Sequence, residues 1–213
     1  SIGGFGCNMA CLHCQNYIIS HEYEKFGNGI KILPETIVEN ALKYNCKSIA
    51  WTYNEPTIHL PFNKKTSLLA KSKNLKVIYV SNGYMSTNSL QEILTFVDAF
   101  NIDLKSMSEK FYKKVCGADL DIVLDNLRNI YLAGKHLEIT NLLINDYNDS
   151  LQEIEQLCDF VADELSVDVP LHISRAIPYY KMRDIEPTDK KILYKAREIA
   201  IKKGIKNVYL GNI

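Results

Sequence analysis

Short apolar runs alternate along the chain with longer amphipathic ones, and their periodicities differ. Ser48–Tyr53, Lys76–Ser81, Ala99–Leu104, His136–Leu143 and Pro170–Ser174 are short, rich in β-branched or aromatic residues and bounded by polar turns, as strands are. Between them, Pro34–Tyr44, Phe62–Ser72, Ser89–Phe96, Ile122–Ala133, Ser150–Leu165 and Thr188–Lys203 place apolar residues at helical spacing. Pro34 suits a first helical turn, with Ile37, Val38, Ala41 and Leu42 on one side. Gly204 is a good left-handed stop for the last helix. Val208–Leu210 adds one more short strand, and Ile2–Phe5 reads as the end of an initial one. About six βα units in series predict an α/β fold built on a parallel sheet or barrel. No linker, low-complexity tract or close repeat interrupts the pattern, so residues 1–213 are expected to form a single domain.

The odd polar residues cluster at strand ends. A cysteine-rich loop follows the initial strand, Tyr53-Asn54-Glu55-Pro56 closes the second and Ser81-Asn82-Gly83 the third. Asp103-Leu104-Lys105 closes the fourth, Thr140-Asn141 lies near the end of the fifth, and Ser174-Arg175 ends the sixth. In a parallel barrel these ends gather at one mouth, where catalytic residues sit.

Composition narrows the picture without changing it. Hydrophobic residues make up 46% of the 213 and charged residues 23%, an ordinary globular balance. A formal net charge of zero gives no field suited to nucleic acid or an anionic membrane. No apolar run approaches a membrane span, and no signal peptide is evident, so a cytoplasmic location is expected. Ser1 lies six residues before the first cysteine, which reads as a portion of a longer protein. Three of the six cysteines, Cys46, Cys116 and Cys158, are scattered and suit buried thiols in a reducing compartment. Cys158 is in phase with Ile154, Leu157 and Val161 on an apolar helix face.

The other three, Cys7, Cys11 and Cys14, form a C-x3-C-x2-C cluster. Thiolate sulfur is the preferred ligand of iron–sulfur clusters, and three ligands around a four-iron cubane leave one iron open for chemistry. The competing reading is a structural zinc completed by His13 or His21.

Taken together, these residues resemble the radical S-adenosylmethionine (SAM) superfamily. The hallmark is the cysteine loop with an aromatic residue, here His13, before its last cysteine. Gly-Cys-Asn-Met-Ala-Cys-Leu-His-Cys-Gln-Asn, Tyr-Asn-Glu-Pro-Thr, Ser-Asn-Gly-Tyr-Met and Tyr-Leu-Gly-Asn are similar to the pyruvate formate-lyase activating enzymes. Among these they are closest to the radical enzymes of the AmmeMemoRadiSam system. The resemblance covers essentially the whole chain and implies a partial (β/α)6 TIM-type barrel with parallel strands.

It also implies a 4Fe–4S cluster on Cys7, Cys11 and Cys14, whose open iron takes the amino and carboxylate groups of SAM. Asn54-Glu55-Pro56 stands where the superfamily has Gly-Gly-Glu-Pro facing the methionine ammonium, with Tyr53 and Asn54 in place of the glycines. Ser81 and Asn82 match a Thr-Asn-Gly segment beside the cofactor, and Asp103 and Lys105 match an Asp-Leu-Lys segment. Val80 replaces an acid that serves a monovalent cation in the activating enzymes, leaving Asp103 as the acid able to contribute there. His172 and Arg175 are candidates for the substrate side. Cys14-Gln-Asn-Tyr-Ile18 departs from the Cys-His-Asn-Pro-Glu common in activases of glycyl-radical enzymes.

The implied reaction starts with an electron from flavodoxin or ferredoxin. SAM is cleaved to methionine and a 5′-deoxyadenosyl radical, which abstracts hydrogen from a substrate. A protein or peptide is the expected substrate, as for the activating enzymes. The alternatives are a small metabolite or another protein side chain and, in a different class, a non-catalytic zinc-stabilised module. His59 and His136 read as structural histidines, while Glu138 faces either the barrel interior or solvent depending on register.

Overall fold

A computed structural model describes residues 1–26 and 29–213. Six strands form one parallel sheet in sequence order: β1 Ser48–Trp51, β2 Lys76–Ser81, β3 Ala99–Asp103, β4 His136–Leu143, β5 Leu171–Arg175 and β6 Val208–Gly211. The helices are α1 Tyr17–Ser20, α2 Pro34–Lys43, α3 Leu60–Ser72, α4 Thr87–Leu94, α5 Glu109–Phe111, α6 Leu120–Leu132, α7 Leu151–Asp159 and α8 Lys190–Lys202. Parallel neighbours need crossovers, and right-handed crossovers between sequential strands carry every connecting helix to the same face. The result is a partial (β/α)6 TIM-type barrel.

The alternation along β4 shows the two faces. Leu137, Ile139, Asn141 and Leu143 are buried against the helices, whereas Glu138, Thr140 and Leu142 are half-buried on the concave side. Val77 and Tyr79 of β2, Phe100 and Ile102 of β3, and Leu171 and Ile173 of β5 continue the helix-facing side, each essentially inaccessible to water. Burying an aliphatic or aromatic side chain there stabilises the fold by about 1.5–3 kcal/mol. The core is thus the space between sheet and helices, and the concave face is left free to be polar. Glu138 belongs to that concave face, where it joins His136 at 3.0 Å and His172 at 2.7 Å.

Several sequence-based expectations need correction. Ile2–Phe5 is not a strand: Ile2 forms one isolated parallel bridge to Trp51, and the glycines that follow turn into the cysteine loop. The sheet therefore begins at Ser48 and reaches six strands through Val208–Gly211. β1 stops at Trp51 because Tyr53 takes a left-handed φ of 73°. Ser150–Leu165 is an α-helix only as far as Asp159, and Phe160–Leu165 widens to π geometry. Cys46 is exposed rather than buried, because it follows the C-terminal turn of α2, whereas Cys116 and Cys158 are buried. Asn141 points to the helix side and donates to the Leu104 carbonyl at 2.7 Å, away from the mouth.

Candidate active site

The cysteine loop has no regular structure, so its shape comes from hydrogen bonds to other segments. It enters at Gly6, whose φ of 90° favours glycine and whose N–H donates to the Ile19 carbonyl at 2.8 Å. Ala10 N–H donates to the Cys116 carbonyl at 2.7 Å and Leu12 N–H to that of Val115 at 2.9 Å. Those two carbonyls belong to a single π turn, Tyr112–Cys116, which ends at Gly117 with φ 67°. Leu12 in turn accepts from Lys181 N–H at 3.0 Å. Met9, 3% exposed, plugs the loop into the core. These ties hold Cys7, Cys11 and Cys14 in the lining of a cavity of about 310 Å³.

The end of β1 supplies the next wall. Tyr53 occupies the left-handed conformation that a glycine adopts without penalty, so this backbone carries strain. Its carbonyl accepts from Asn16 Nδ2 at 2.6 Å. Asn54 is a staple: Oδ1 accepts from Gly4 N–H at 2.8 Å, and Nδ2 donates to the Gly6 carbonyl at 2.7 Å. Glu55, 2% exposed, gathers donors from two strand ends. Its carboxylate accepts from Thr57 N–H at 3.0 Å, Ser81 Oγ at 2.9 Å and Asn82 N–H at 2.9 Å. Burial nonetheless raises its pKa, the hydrogen bonds opposing that shift only in part. Asn82 also reaches the cysteine loop, through Asn8 Oδ1 at 2.8 Å and Cys7 Sγ at 3.7 Å.

At the end of β3, Lys105 Nζ pairs with Asp103 Oδ2 at 3.0 Å, its side chain only 15% exposed. Burial alone would lower the ammonium's pKa. Asp103 and the thiols of Cys11 and Cys116 outweigh that, and Lys105 stays charged well above the usual lysine range. Burial pushes the Cys7 thiol up to about 11 and raises Cys14 as well. Cys11 is raised first by its hydrogen bond with Cys116 and then by burial. His13 is held neutral, lowered to about 3 by burial and by Lys105, with its Nδ1 lacking a partner. One buried cation thus faces a set of thiols that need compensation once they ionise.

Cys7, Cys11, Cys14, Asn54, Glu55, Ser81, Asn82, Asp103 and Lys105 all line this one cavity. His172 and Arg175, the substrate-side candidates, do not line it. His172 is the second residue of β5, below the mouth, bound to Glu138 and stacked on Tyr209 at 5.1 Å. Arg175 turns away and donates to the Thr188 carbonyl at 2.7 Å. His59 is structural, its Nε2 2.8 Å from the Phe5 carbonyl. Ser174 lines the cavity as its place at a strand end predicts, whereas Asn212 is a lining residue that sequence reasoning missed. The signal was Gly211: a Cβ there would stand 2.5 Å from Ser174 Oγ, so a side chain at this position would displace the Ser174 hydroxyl from the cavity edge where β5 and β6 pair.

The donor set has the chemistry of an iron–sulfur site: three thiols free of disulfides line one cavity beside the Asp103–Lys105 pair. Among the described residues, no three His, Cys, Asp or Glu side chains are grouped closely enough to hold a single metal ion. A parallel half-barrel with such a mouth defines a class of radical enzyme, and the sequence agrees. Residues 1–161 match the family model of the Radical SAM superfamily, and the chain belongs to that superfamily. Membership of that superfamily makes its cofactors a 4Fe–4S cluster and SAM. An uncharacterized protein of Methanocaldococcus jannaschii is 41% identical over 98% of this chain and 62% of its own length. The chain therefore spans about three fifths of that relative. A second protein of the same organism, provisionally named as a glycyl-radical enzyme activating enzyme, is 27% identical over 98% of the chain and 77% of its own length. The SAM-bound structure of SuiB from Streptococcus suis superimposes with a TM-score of 0.73 at 13% identity, covering 99% of this chain and 49% of that one. No helix among the described residues is long and apolar enough to cross a membrane.

Proposed function

We propose that residues 1–213 are a radical SAM core that abstracts a hydrogen atom from a protein or peptide, in the manner of the activating enzymes. The observation that carries this is the convergence of Cys7, Cys11, Cys14 and the Asp103–Lys105 pair on one strand-end cavity. When bound, the cluster and SAM supply a 5′-deoxyadenosyl radical. Cys7, Cys11 and Cys14 ligate the cluster as thiolates, and Lys105 offsets the negative charge that this places in the cavity. Lys105 is also the group able to meet a carboxylate as a point charge. Asn54 and Glu55 fix the wall that faces the amino end of SAM, Glu55 by drawing Ser81 and Asn82 to it. Asp103 orients Lys105. Held together, these residues exclude water from the radical and position one C–H bond.

The protein-substrate reading draws on the 27%-identical relative named as an activating enzyme. Flavodoxin or ferredoxin is the reductant in this reading, and the cytoplasm the compartment. The test uses a candidate peptide deuterated at the target carbon. Deuterium appearing in 5′-deoxyadenosine supports the reading, whereas robust 5′-deoxyadenosine formation that never takes up deuterium from any peptide, but does so from a small metabolite, overturns it.

A further inference from the structure

A fourth cysteine, Cys116, is fully buried beside the cysteine loop and does not line the cavity. Its place is fixed by backbone. Ala10 N–H donates to the Cys116 carbonyl at 2.7 Å and Leu12 N–H to that of Val115 at 2.9 Å. The residues on either side of Cys11 are thus tied to the turn that carries Cys116. The next residue, Gly117, lies against the same loop: a Cβ on it would stand 3.5 Å from that of Ala10. The turn itself, Tyr112–Cys116, has π geometry, a distortion frequent at functional sites. Its first residue is anchored as well, the Tyr112 hydroxyl accepting Lys105 N–H at 3.1 Å. One short turn therefore holds the cysteine loop at one end and the Asp103–Lys105 segment at the other.

This arrangement sets the Cys116 thiol against that of Cys11, with which it shares a hydrogen bond. Neither sulfur is in a disulfide, and both lie within the field of the Lys105 ammonium. Among the described residues, no other side chain hydrogen-bonds the Cys116 thiol. A thiol that ligates iron gives up its own hydrogen. Once Cys11 is a ligand, the hydrogen between the two sulfurs belongs to Cys116. An S–H group is a weak donor, but in a buried site no water competes with it. Hydrogen bonds to the sulfurs of an iron–sulfur cluster help set its reduction potential, and a donor favours the more negative, reduced state.

We propose that Cys116 is a positioning residue for the cluster, its S–H donating to the Cys11 sulfur and holding the reduction potential up without binding iron. The proposal rests on the reading of the cavity as a cluster site. No bond forms or breaks in this role. The thiol acts through Cys11 on the electron that the cluster receives.

The experiment is a redox titration of the anaerobically reconstituted protein, followed by electron paramagnetic resonance, for wild type, Cys116→Ala and Cys116→Ser. All three should contain the same iron and sulfide, because the ligands are Cys7, Cys11 and Cys14. At a fixed solution potential near the wild-type midpoint, Cys116→Ala should show a reduced-to-oxidised ratio about three- to tenfold lower, the worth of one hydrogen bond. Cys116→Ser keeps a donor and should recover most of that ratio. An alanine variant with the wild-type ratio overturns the proposal. So does a serine variant shifted as far as the alanine one, which would make the effect one of packing. Loss of iron from both variants, at unchanged stability of the cluster-free proteins, also overturns it and makes Cys116 a ligand. Wild-type protein that takes up no iron–sulfur cluster removes the reading of the cavity itself, and this role with it.

Discussion

Glu55 Oε2 accepts the backbone N–H of Asn82 at 2.9 Å, joining the end of β1 to the end of β2 inside the mouth of the half-barrel. Ser81 Oγ and Thr57 N–H share the same carboxylate. Removing it strands several buried donors, each costing about 1–3 kcal/mol. Glu55→Ala should therefore lower unfolding stability by about 2–4 kcal/mol, because removal of a desolvated buried charge offsets part of that sum. A urea midpoint indistinguishable from wild type would show that the carboxylate does not latch the two strands.

The strain at Tyr53 gives a second test. A left-handed φ of 73° costs a non-glycine residue about 1–2 kcal/mol, and Tyr53 is 55% exposed, so little packing offsets it. Tyr53→Gly should stay within about 1 kcal/mol of wild type, the relief being balanced by the greater freedom of glycine when unfolded. Tyr53→Val, β-branched, should be less stable than Tyr53→Gly. Chemical denaturation of the two variants decides it.

His13 predicts a specific sensitivity to acid. Its pKa falls from the ordinary 6.5 to about 3, so below pH 6.5 the unfolded chain takes up a proton that the folded one refuses. The stability that neutral His13 contributes is complete above pH 6.5 and is lost towards pH 3, at about 1.4 kcal/mol per pH unit. The cluster-free His13→Phe variant should lose less stability than wild type between pH 6.5 and pH 5. Parallel stability curves over that range would contradict a buried neutral imidazole.

Lys105 supplies the prediction closest to binding. A charge-assisted hydrogen bond from a buried ammonium is worth about 1.5–3 kcal/mol, which is about 10- to 200-fold in affinity. Lys105→Met should weaken SAM binding to the cluster-loaded protein by that factor, read from the change that SAM produces in the electron paramagnetic resonance spectrum. Unaltered affinity would remove Lys105 from the binding wall.

Much of this architecture is legible in the sequence. β2 and β4 follow the bounds that their alternation predicts, and Asn54, Glu55, Ser81, Asn82, Asp103 and Lys105 share the cavity with the three cysteines. Strand-end chemistry is local, and a parallel sheet brings every such end to the same edge. What was not legible depends on long-range packing. Cys116 meets Cys11 only because a π turn hands its carbonyls to the cysteine loop. His172 lies beside Thr140 in the sheet register yet points below the mouth, and no sequence pattern reveals that stagger. Asn212 lines the cavity because β6 pairs with β5, Gly211 opposite Ser174, a register that no local pattern announces. The glycines after Ile2 have the look of a strand end in sequence, but Gly4 and Gly6 are held by Asn54 and turn the chain into the cysteine loop.

Radical chemistry at the strand-end cavity is tested most directly by measuring 5′-deoxyadenosine and methionine from the anaerobically reconstituted enzyme after dithionite reduction in the presence of SAM, beside a Cys14→Ala variant. The wild type should form both products and show broad iron–sulfur absorption near about 400 nm, and the variant should lose the absorption and both products. A wild-type protein carrying a full cluster but forming neither product, or a variant retaining both cluster and products, would contradict the assignment.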